Sequence, residues 1–376
     1  MDENKIYPGK VGLQQRVLPA YRVAFLEALA KRCVGGLSVF AGQALPVEGI
    51  EPAQGLEGAG LVWGRNRHFQ DPSSSWYLCW QSGLLAWLES WQPQVLVVEA
   101  NPRYPSTRQA VRWMHRRGRP VVGWGLGAPP LGQGQGLKSL LRGWERLSFL
   151  RSLDAVIAYS RRGADEYRAL GLPAERVFCA SNATAPRPPG PPPERPREYL
   201  GKPGVLFVGR LQARKRVDTL LRACAALPQA LQPRLVIVGD GPARAEFEAL
   251  AKQIYPLAEF VGAKHGADLG PFYAAADLFA LPGTGGLAVQ QAMAHGLPVM
   301  VAQGDGTQDD LVRPENGWQV LPDDLGALTD ALCQALADPA GLRRRGAESY
   351  RIVAEEVNVE AMAGVFAEVF STVDRG

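Results

Sequence analysis

Long apolar runs are missing from this chain of 376 residues. None approaches the roughly 18 consecutive apolar residues that a membrane-crossing helix needs, so no transmembrane segment is expected. A secretion signal is missing too, because Met1-Asp2-Glu3-Asn4-Lys5 has neither a basic start nor an apolar core behind it. Five cysteines (Cys33, Cys79, Cys179, Cys224 and Cys333) are scattered, with no Cys-x-x-Cys pair and no His/Cys cluster. That excludes a disulfide framework and a zinc site, and leaves a cytoplasmic protein with buried thiols as the expectation. No charge sign is in large excess either. Lys plus Arg number 41 against 37 Asp plus Glu, a net charge of +4, which is too mild for a nucleic-acid binder. No Gly-x-Gly-x-x-Gly follows the first strand, which argues against a dehydrogenase. No Asp-x-Asp pair sits at a strand end, so no metal or cofactor requirement is expected. Asp309-Asp310 and Asp323-Asp324 read as solvated turn charges rather than ligands.

What is present is an ordinary globular composition, 46% hydrophobic and 21% charged. At roughly 150 residues per domain the length allows two domains. Pro186, Pro188, Pro189, Pro191, Pro192, Pro193 and Pro196 fall within a short stretch ending at Pro203. Each proline fixes φ and removes a donor, so residues 186–203 read as a stiff interdomain linker. Before it, apolar runs at Val11–Leu18, Val95–Glu99, Pro120–Trp124, Ala155–Tyr159 and Arg176–Cys179 alternate with helical patterns. After it the alternation is cleaner, with strands expected at Gly204–Val208, Arg234–Val238, Ala258–Val261, Leu278–Leu281 and Val299–Ala302. Apolar strands alternating with helices imply an α/β protein of parallel sheets covered on both faces. The expectation is two Rossmann-like domains facing a central cleft, with ligands at the C-terminal sheet edges. Their bounds are read as 1–185, a linker 186–203, 204–350, and a C-terminal helix region 351–376 packing back toward the first domain.

Three stretches after the linker carry chemistry. Val208-Gly209-Arg210 leads from a strand toward Lys215 at a helix start, and two cations at a strand-to-helix junction suit a diphosphate. Val238-Gly239-Asp240-Gly241-Pro242 reads equally well as turn chemistry or ligand contact. Pro282-Gly283-Thr284-Gly285-Gly286-Leu287 opens a helix, and its glycines would let backbone amides approach a phosphate. One turn into that helix, Gln291 would reach a ribose hydroxyl. On the first domain Tyr21 and Arg22 open a helix, while Glu99, Asn101 and Gly125 lie at strand ends; these are the acceptor-side candidates. His68 reads as an exposed loop histidine. Residues 137–151 form a basic amphipathic helix, with Leu137, Leu140, Leu141 and Trp144 on one face. Burial in the core and contact with an anionic membrane both fit that face.

The order Gly209-Arg210-Leu211…Lys215, Val238-Gly239-Asp240-Gly241-Pro242, Ala276-Asp277-Leu278 and Ala292-Met293-Ala294-His295-Gly296-Leu297-Pro298 resembles glycosyltransferase family four. Asn316-Gly317-Trp318 closes the series. Arg16–Arg22 and Asp154–Ser160 are similar to a bacterial polysaccharide and glycolipid branch of it. The resemblance implies a GT-B fold and sugar transfer with retention from a nucleotide-sugar donor to a glycan or lipid-linked acceptor. By it, Arg210 and Lys215 stabilise the leaving diphosphate, and Thr284-Gly285-Gly286-Leu287 add backbone amides. Two departures stand out. Many members carry two glutamates where this chain has Gly283 and Gln291, and a Gly-His where it has Gly125-Leu126. Those losses keep open a non-catalytic partner of another transferase; an epimerase on the same fold would need more carboxylates and histidines. The expected place is the cytoplasm, with the inner membrane face as a possible site of peripheral contact.

Overall fold

The computed structural model describes residues 5–71, 74, 76–128, 137–283, 285–304 and 306–374, with only the backbone of 137–139. Two compact units result, one running to Pro186 and resuming at Val359, the other covering Arg187–Asn358.

In the first unit β1 (Val11–Val17) leads through α1 (Val23–Ala30) to β2 (Leu37–Gly42) and β3 (Gly60–Trp63). A hairpin follows, β4 (Arg65–Phe69) with β5 (Leu78–Ser82), then α2 (Leu84–Trp91), β6 (Val95–Glu99) and α3 (Pro105–His115). The series continues with β7 (Val121–Gly125), α4 (Leu137–Arg151), β8 (Ala155–Ala158), α5 (Arg161–Ala169) and β9 (Val177–Cys179). Seven strands form a parallel sheet in the order β3-β2-β1-β6-β7-β8-β9, while β4 and β5 pair antiparallel outside it. The central strands are β-branched apolar runs because both faces are covered; Val95, Leu96, Val97 and Val98 are all fully buried.

The second unit runs β10 (Gly204–Val208), α6 (Val217–Ala226), β11 (Arg234–Val238), α7 (Arg244–Ile254), β12 (Ala258–Gly262) and α8 (Gly270–Ala275). It then adds β13 (Leu278–Leu281), α9 (Leu287–Ala294), β14 (Val299–Ala302), α10 (Thr307–Leu311), β15 (Gly317–Val320), α11 (Leu325–Leu336) and α12 (Pro339–Glu355). Its six parallel strands lie in the order β12-β11-β10-β13-β14-β15. Asp324 and Asp338 cap α11 and α12, accepting from Ala327 N and Gly341 N at 2.8 Å each. The last helix, α13 (Val359–Val373), belongs to the first unit and packs on α1.

Two boundaries differ from the sequence expectation. α12 stays with the second unit, so the return to the first comes at residue 359 rather than 351. The proline-rich stretch is not a free linker but a strap on the second unit. Arg195 donates to the carbonyls of Tyr273 (2.9 Å), Ala276 (2.5 Å) and His295 (2.9 Å). Tyr199 Oη donates to Leu336 O at 3.0 Å. Proline removes local donors, and side chains tie the segment down instead.

Candidate donor and acceptor sites

In each sheet the chain winds outward in both directions from a central pair of strands, and ligands of open α/β sheets bind where that order reverses. In the second unit the reversal lies between β10 and β13. There the turn after β10 carries exposed Arg210 and brings Lys215 back beneath the loop after β13. Lys215 is only 8% exposed, and its Nζ donates to Gly285 O at 3.0 Å. Burial, helped by the neighbouring Arg214 charge, pushes its ammonium down to about 8. Gly283 makes the approach possible, because a Cβ there would run into the backbone of Arg214 and Lys215. The missing glutamate at this position therefore coincides with a loop closed down on the lysine.

Thr284 lies outside the described residues. Gly285, Gly286 and Leu287 lead into α9, with Val289 N bonded to Gly286 O at 3.1 Å. Gln291 is exposed, and its Oε1 accepts from Tyr273 Oη at 3.2 Å. The neighbouring Gln290 is buried and donates to Val357 O at 2.6 Å. His295 stacks on Tyr273 with ring centroids 4.7 Å apart. Gly209 follows β10, beside β13, and Gly241 follows β11, one strand farther out. Gly209 N bonds Val238 O at 3.0 Å, Leu211 N bonds Asp240 O at 2.9 Å, and Gly241 (φ 157°) has no room for a Cβ beside Leu211 O. Asp240 accepts from Gly241 N at 2.7 Å, which is turn chemistry.

Of the acids read as solvated turn charges, Asp309 is exposed but Asp310 is buried in α10. Asp323 pairs with Arg216, and Asp324 is a helix cap. Among the described residues no group of three or more His, Cys, Asp and Glu is arranged to hold a metal ion.

In the first unit the order reverses between β1 and β6. Glu99, ending β6, accepts Arg16 N–H at 2.5 Å across that junction, and burial pushes its carboxyl above the usual range despite this bond. The Arg16 guanidinium grips Glu48 with two bonds of 3.0 and 2.6 Å. Burial opposes ionisation of Glu48, but that grip outweighs it and holds the carboxyl below its ordinary value. The hairpin closes the cluster. Asn66 donates to Arg16 O at 2.8 Å, Gln81 donates to Asn66 Oδ1 at 3.1 Å and pairs with Gln14, and His68 Nδ1 meets Tyr77 Oη at 2.8 Å. His68 is thus half-buried on a strand, not an exposed loop residue. Burial and the Arg16 charge keep its imidazole below the ordinary value.

The remaining acceptor-side candidates separate. Tyr21 is 43% exposed, whereas Arg22 is buried, donating to Asn182 Oδ1 at 2.6 Å and lying over the Trp124 ring at 4.5 Å. Both fall in a 3-10 turn ahead of α1. Asn101 Oδ1 accepts from Arg103 N at 3.1 Å as a turn residue, and Gly125 packs under Tyr167 and Ala100. Sequence reading missed Arg16, Glu48, Asn66 and Gln81. Their link to Glu99 crosses 18 to 83 residues of chain and leaves no local signal.

Comparison with known proteins puts names beside this geometry. Residues 20–183 match the family described as "Glycosyl transferase 4-like domain", and residues 202–338 match "Glycosyl transferases group 1". The GDP-mannose-dependent alpha-mannosyltransferase of Mycobacterium tuberculosis is 39% identical over 156 residues, 40% of this chain and 38% of that protein. The sulfoquinovosyl transferase of Arabidopsis thaliana is 35% identical over 119 residues, 31% of this chain and 22% of that protein. The aligned parts thus span well under half of those relatives' length. D-inositol 3-phosphate glycosyltransferase of Xylanimonas cellulosilytica is 30% identical over 245 residues, 58% of this chain and 57% of that protein. Among solved structures, sucrose-phosphate synthase from Thermosynechococcus elongatus superposes with a TM-score of 0.68 at 22% identity, covering 96% of this chain and 98% of that one. Anabaena HepE in complex with UDP-glucose gives 0.67 at 18%, covering 97% and 100%. That likeness fixes the fold as the two-unit GT-B type.

Proposed function

The chain belongs to glycosyltransferase family four, and on that premise we propose that it transfers a sugar from a nucleotide-diphosphate sugar to a hydroxyl acceptor with retention of configuration. The observation that carries this reading is the meeting of Lys215 with the Gly283–Leu287 loop where the second unit's strand order reverses. A diphosphate there gains the Lys215 ammonium, the Arg210 guanidinium and the N-terminal amides of α9. Charge develops on the departing diphosphate as the anomeric C–O bond breaks, so these donors act most strongly in the transition state. The acceptor oxygen forms the new bond from the same face, and its proton passes to a departing phosphate oxygen. No protein base is then needed, in keeping with the absence of a histidine at Leu126. Gln291, steadied by Tyr273, holds the ribose.

The acceptor binds on the first unit, beside Glu99, Arg16 and the inner face of the β4–β5 hairpin. Carboxylate, amide and imidazole groups clustered this way suit the hydroxyls of a glycan or of a lipid-linked sugar. No described helix is long and apolar enough to cross a membrane, so a lipid-linked acceptor would be met by peripheral contact.

Melting curves with a panel of nucleoside diphosphates and their sugars test the donor half. A ligand at 100 times its Kd adds about 2.7 kcal/mol of stability. Silence across the panel would refute the donor site. Stabilisation without turnover on any acceptor would favour a non-catalytic partner. Arg210→Ala is expected to lower turnover about 10²- to 10³-fold with an unchanged melting temperature.

A further inference from the structure

β3 is an outer strand of the first unit's sheet, and its Gly60-Leu61-Val62-Trp63 has neither the charge nor the proline that usually blunts an edge. Val62 and Trp63 are 41% and 42% exposed. Exposed apolar side chains also occur on α4, at Leu140, Leu141 and Trp144. A helix satisfies its own backbone, however, whereas an edge strand satisfies only half. The register identifies which half. β3 runs parallel to β2, with Phe40 opposite Val62 and Ala41 opposite Trp63, and Gly64 N donates to Ala41 O at 2.8 Å. Backbone direction alternates along a strand, so Gly60 and Val62 face β2, while the N–H and C=O groups of Leu61 and Trp63 point away from it. Among the described residues nothing bonds these four outward groups.

We propose that β3 pairs antiparallel with β3 of a second copy of this chain, about a twofold axis through Val62. That axis sets Leu61 opposite the partner's Trp63, and Trp63 opposite the partner's Leu61. Both are hydrogen-bonded pairs, so all four outward groups of each copy find a partner in four interchain bonds. Side-chain alternation then places Val62 against the partner's Val62 on one face, and Leu61 against the partner's Trp63 on the other. A slip of two residues would leave Leu61 or Trp63 beyond the end of the partner's strand.

Charge favours the same arrangement. Glu57 before the strand and Arg65 after it are both exposed, and neither forms an ion pair among the described residues. Antiparallel pairing brings the acidic end of one strand to the basic end of the other, whereas parallel addition of a second copy would set like against like. The two seven-stranded sheets then run on as one. This pairing involves the first unit alone and does not depend on the transferase reading.

Val62→Cys probes the axis directly. Facing residues of a non-hydrogen-bonded antiparallel pair have Cα atoms about 4.5 Å apart, within the roughly 4.4–6.8 Å that a disulfide spans. Under mild oxidation Val62→Cys is expected to link into a covalent dimer about tenfold or more faster than Val34→Cys, since pairing raises the local thiol concentration. Val34 is a fair control, being 73% exposed in a turn. Sedimentation velocity over a concentration series is expected to show monomer and dimer in exchange. Leu61→Pro removes an outward N–H, which an edge strand tolerates, and takes two of the four interchain bonds, so affinity is expected to fall about tenfold or more. Val62→Lys keeps the backbone intact and sets two ammonium groups across the axis, with a similar loss expected. Melting curves of dilute protein check that both variants fold. A wild type that stays monomeric throughout, with Val62→Cys linking no faster than Val34→Cys, overturns the proposal. So does a dimer that both variants leave intact, which would place the interface elsewhere. Linking of Val62→Cys in cells to a different protein, and never to itself, would give the edge to a foreign strand and overturn the self-pairing.

Discussion

Lys215 combines burial, a bond to the Gly285 carbonyl and a lowered proton affinity, so its charge is a burden on the empty protein. Its pKa falls from 10.5 to about 8 on folding. Between those values the unfolded chain holds more protons, so this group makes stability rise with pH through that window; below pH 8 the buried charge costs stability. Lys215→Met is therefore expected to melt no lower than wild type at pH 7 while losing about 10²- to 10³-fold in turnover. A large drop in melting temperature would make Lys215 structural. Wild-type diphosphate affinity should weaken above pH 8, where the empty site loses its ammonium. Gln291 offers a finer test, because a ribose partner must keep an acceptor oxygen. Gln291→Glu is expected to retain nucleoside-diphosphate binding, and Gln291→Leu to weaken it about 5- to 150-fold by calorimetry. Equal affinities would assign Gln291 only to its contact with Tyr273.

At the scale of elements, α13 is chemically part of the first unit despite its place at the chain's end. Phe366 packs between Phe25 and Trp124, with ring centroids 5.0 and 5.2 Å away, and Tyr7 donates to Asp374 at 2.8 Å. Phe366→Ala leaves a large cavity and is expected to cost the first unit about 3 to 5 kcal/mol. Scanning calorimetry should show that unit's transition moving down while nucleoside diphosphate still stabilises the second. A uniform loss of both would mean that the units do not melt separately. The strap shows the opposite relation of sequence to structure. Proline density marks it as irregular, but Arg195, whose guanidinium burial pushes down to about 10, fastens it to carbonyls some 80 to 100 residues away.

For the whole molecule, division of labour between the two units is the testable property. Glu99 lies in the first unit, and burial raises its carboxyl above the ordinary 4.5. A raised folded pKa gives stability below 4.5 that is lost as pH climbs through the folded value, so at neutral pH the charge is a burden. Glu99→Gln keeps an oxygen for Arg16 N–H and removes that charge. It is expected to raise the melting temperature at pH 7, with the difference vanishing below about pH 4.5. Donor affinity should stay at the wild-type value while KM for the acceptor rises. A change in nucleoside-diphosphate affinity instead would place Glu99 outside the acceptor role.

The sequence alone determined the α/β alternation and, in the second unit, strands such as Gly204–Val208 and Val299–Ala302 to the residue. Strands buried on both faces must be apolar runs, and the glycine turns after them obey local backbone sterics, so both are written locally. The strand-end places of Arg210 and Gly283 were legible for the same reason. Edge strands β3 and β15 and the hairpin β4–β5 were not, since weaker burial leaves a weaker pattern, and β2, although buried throughout, was missed as well. Only the tertiary structure decided that Lys215 is buried, that Asp310 is not a surface charge, and that Arg16 and Glu48 join Glu99. It alone turned the apolar face of α4 outward. Each of these depends on a neighbour brought in from far along the chain, and no periodicity within a segment records which neighbour that will be.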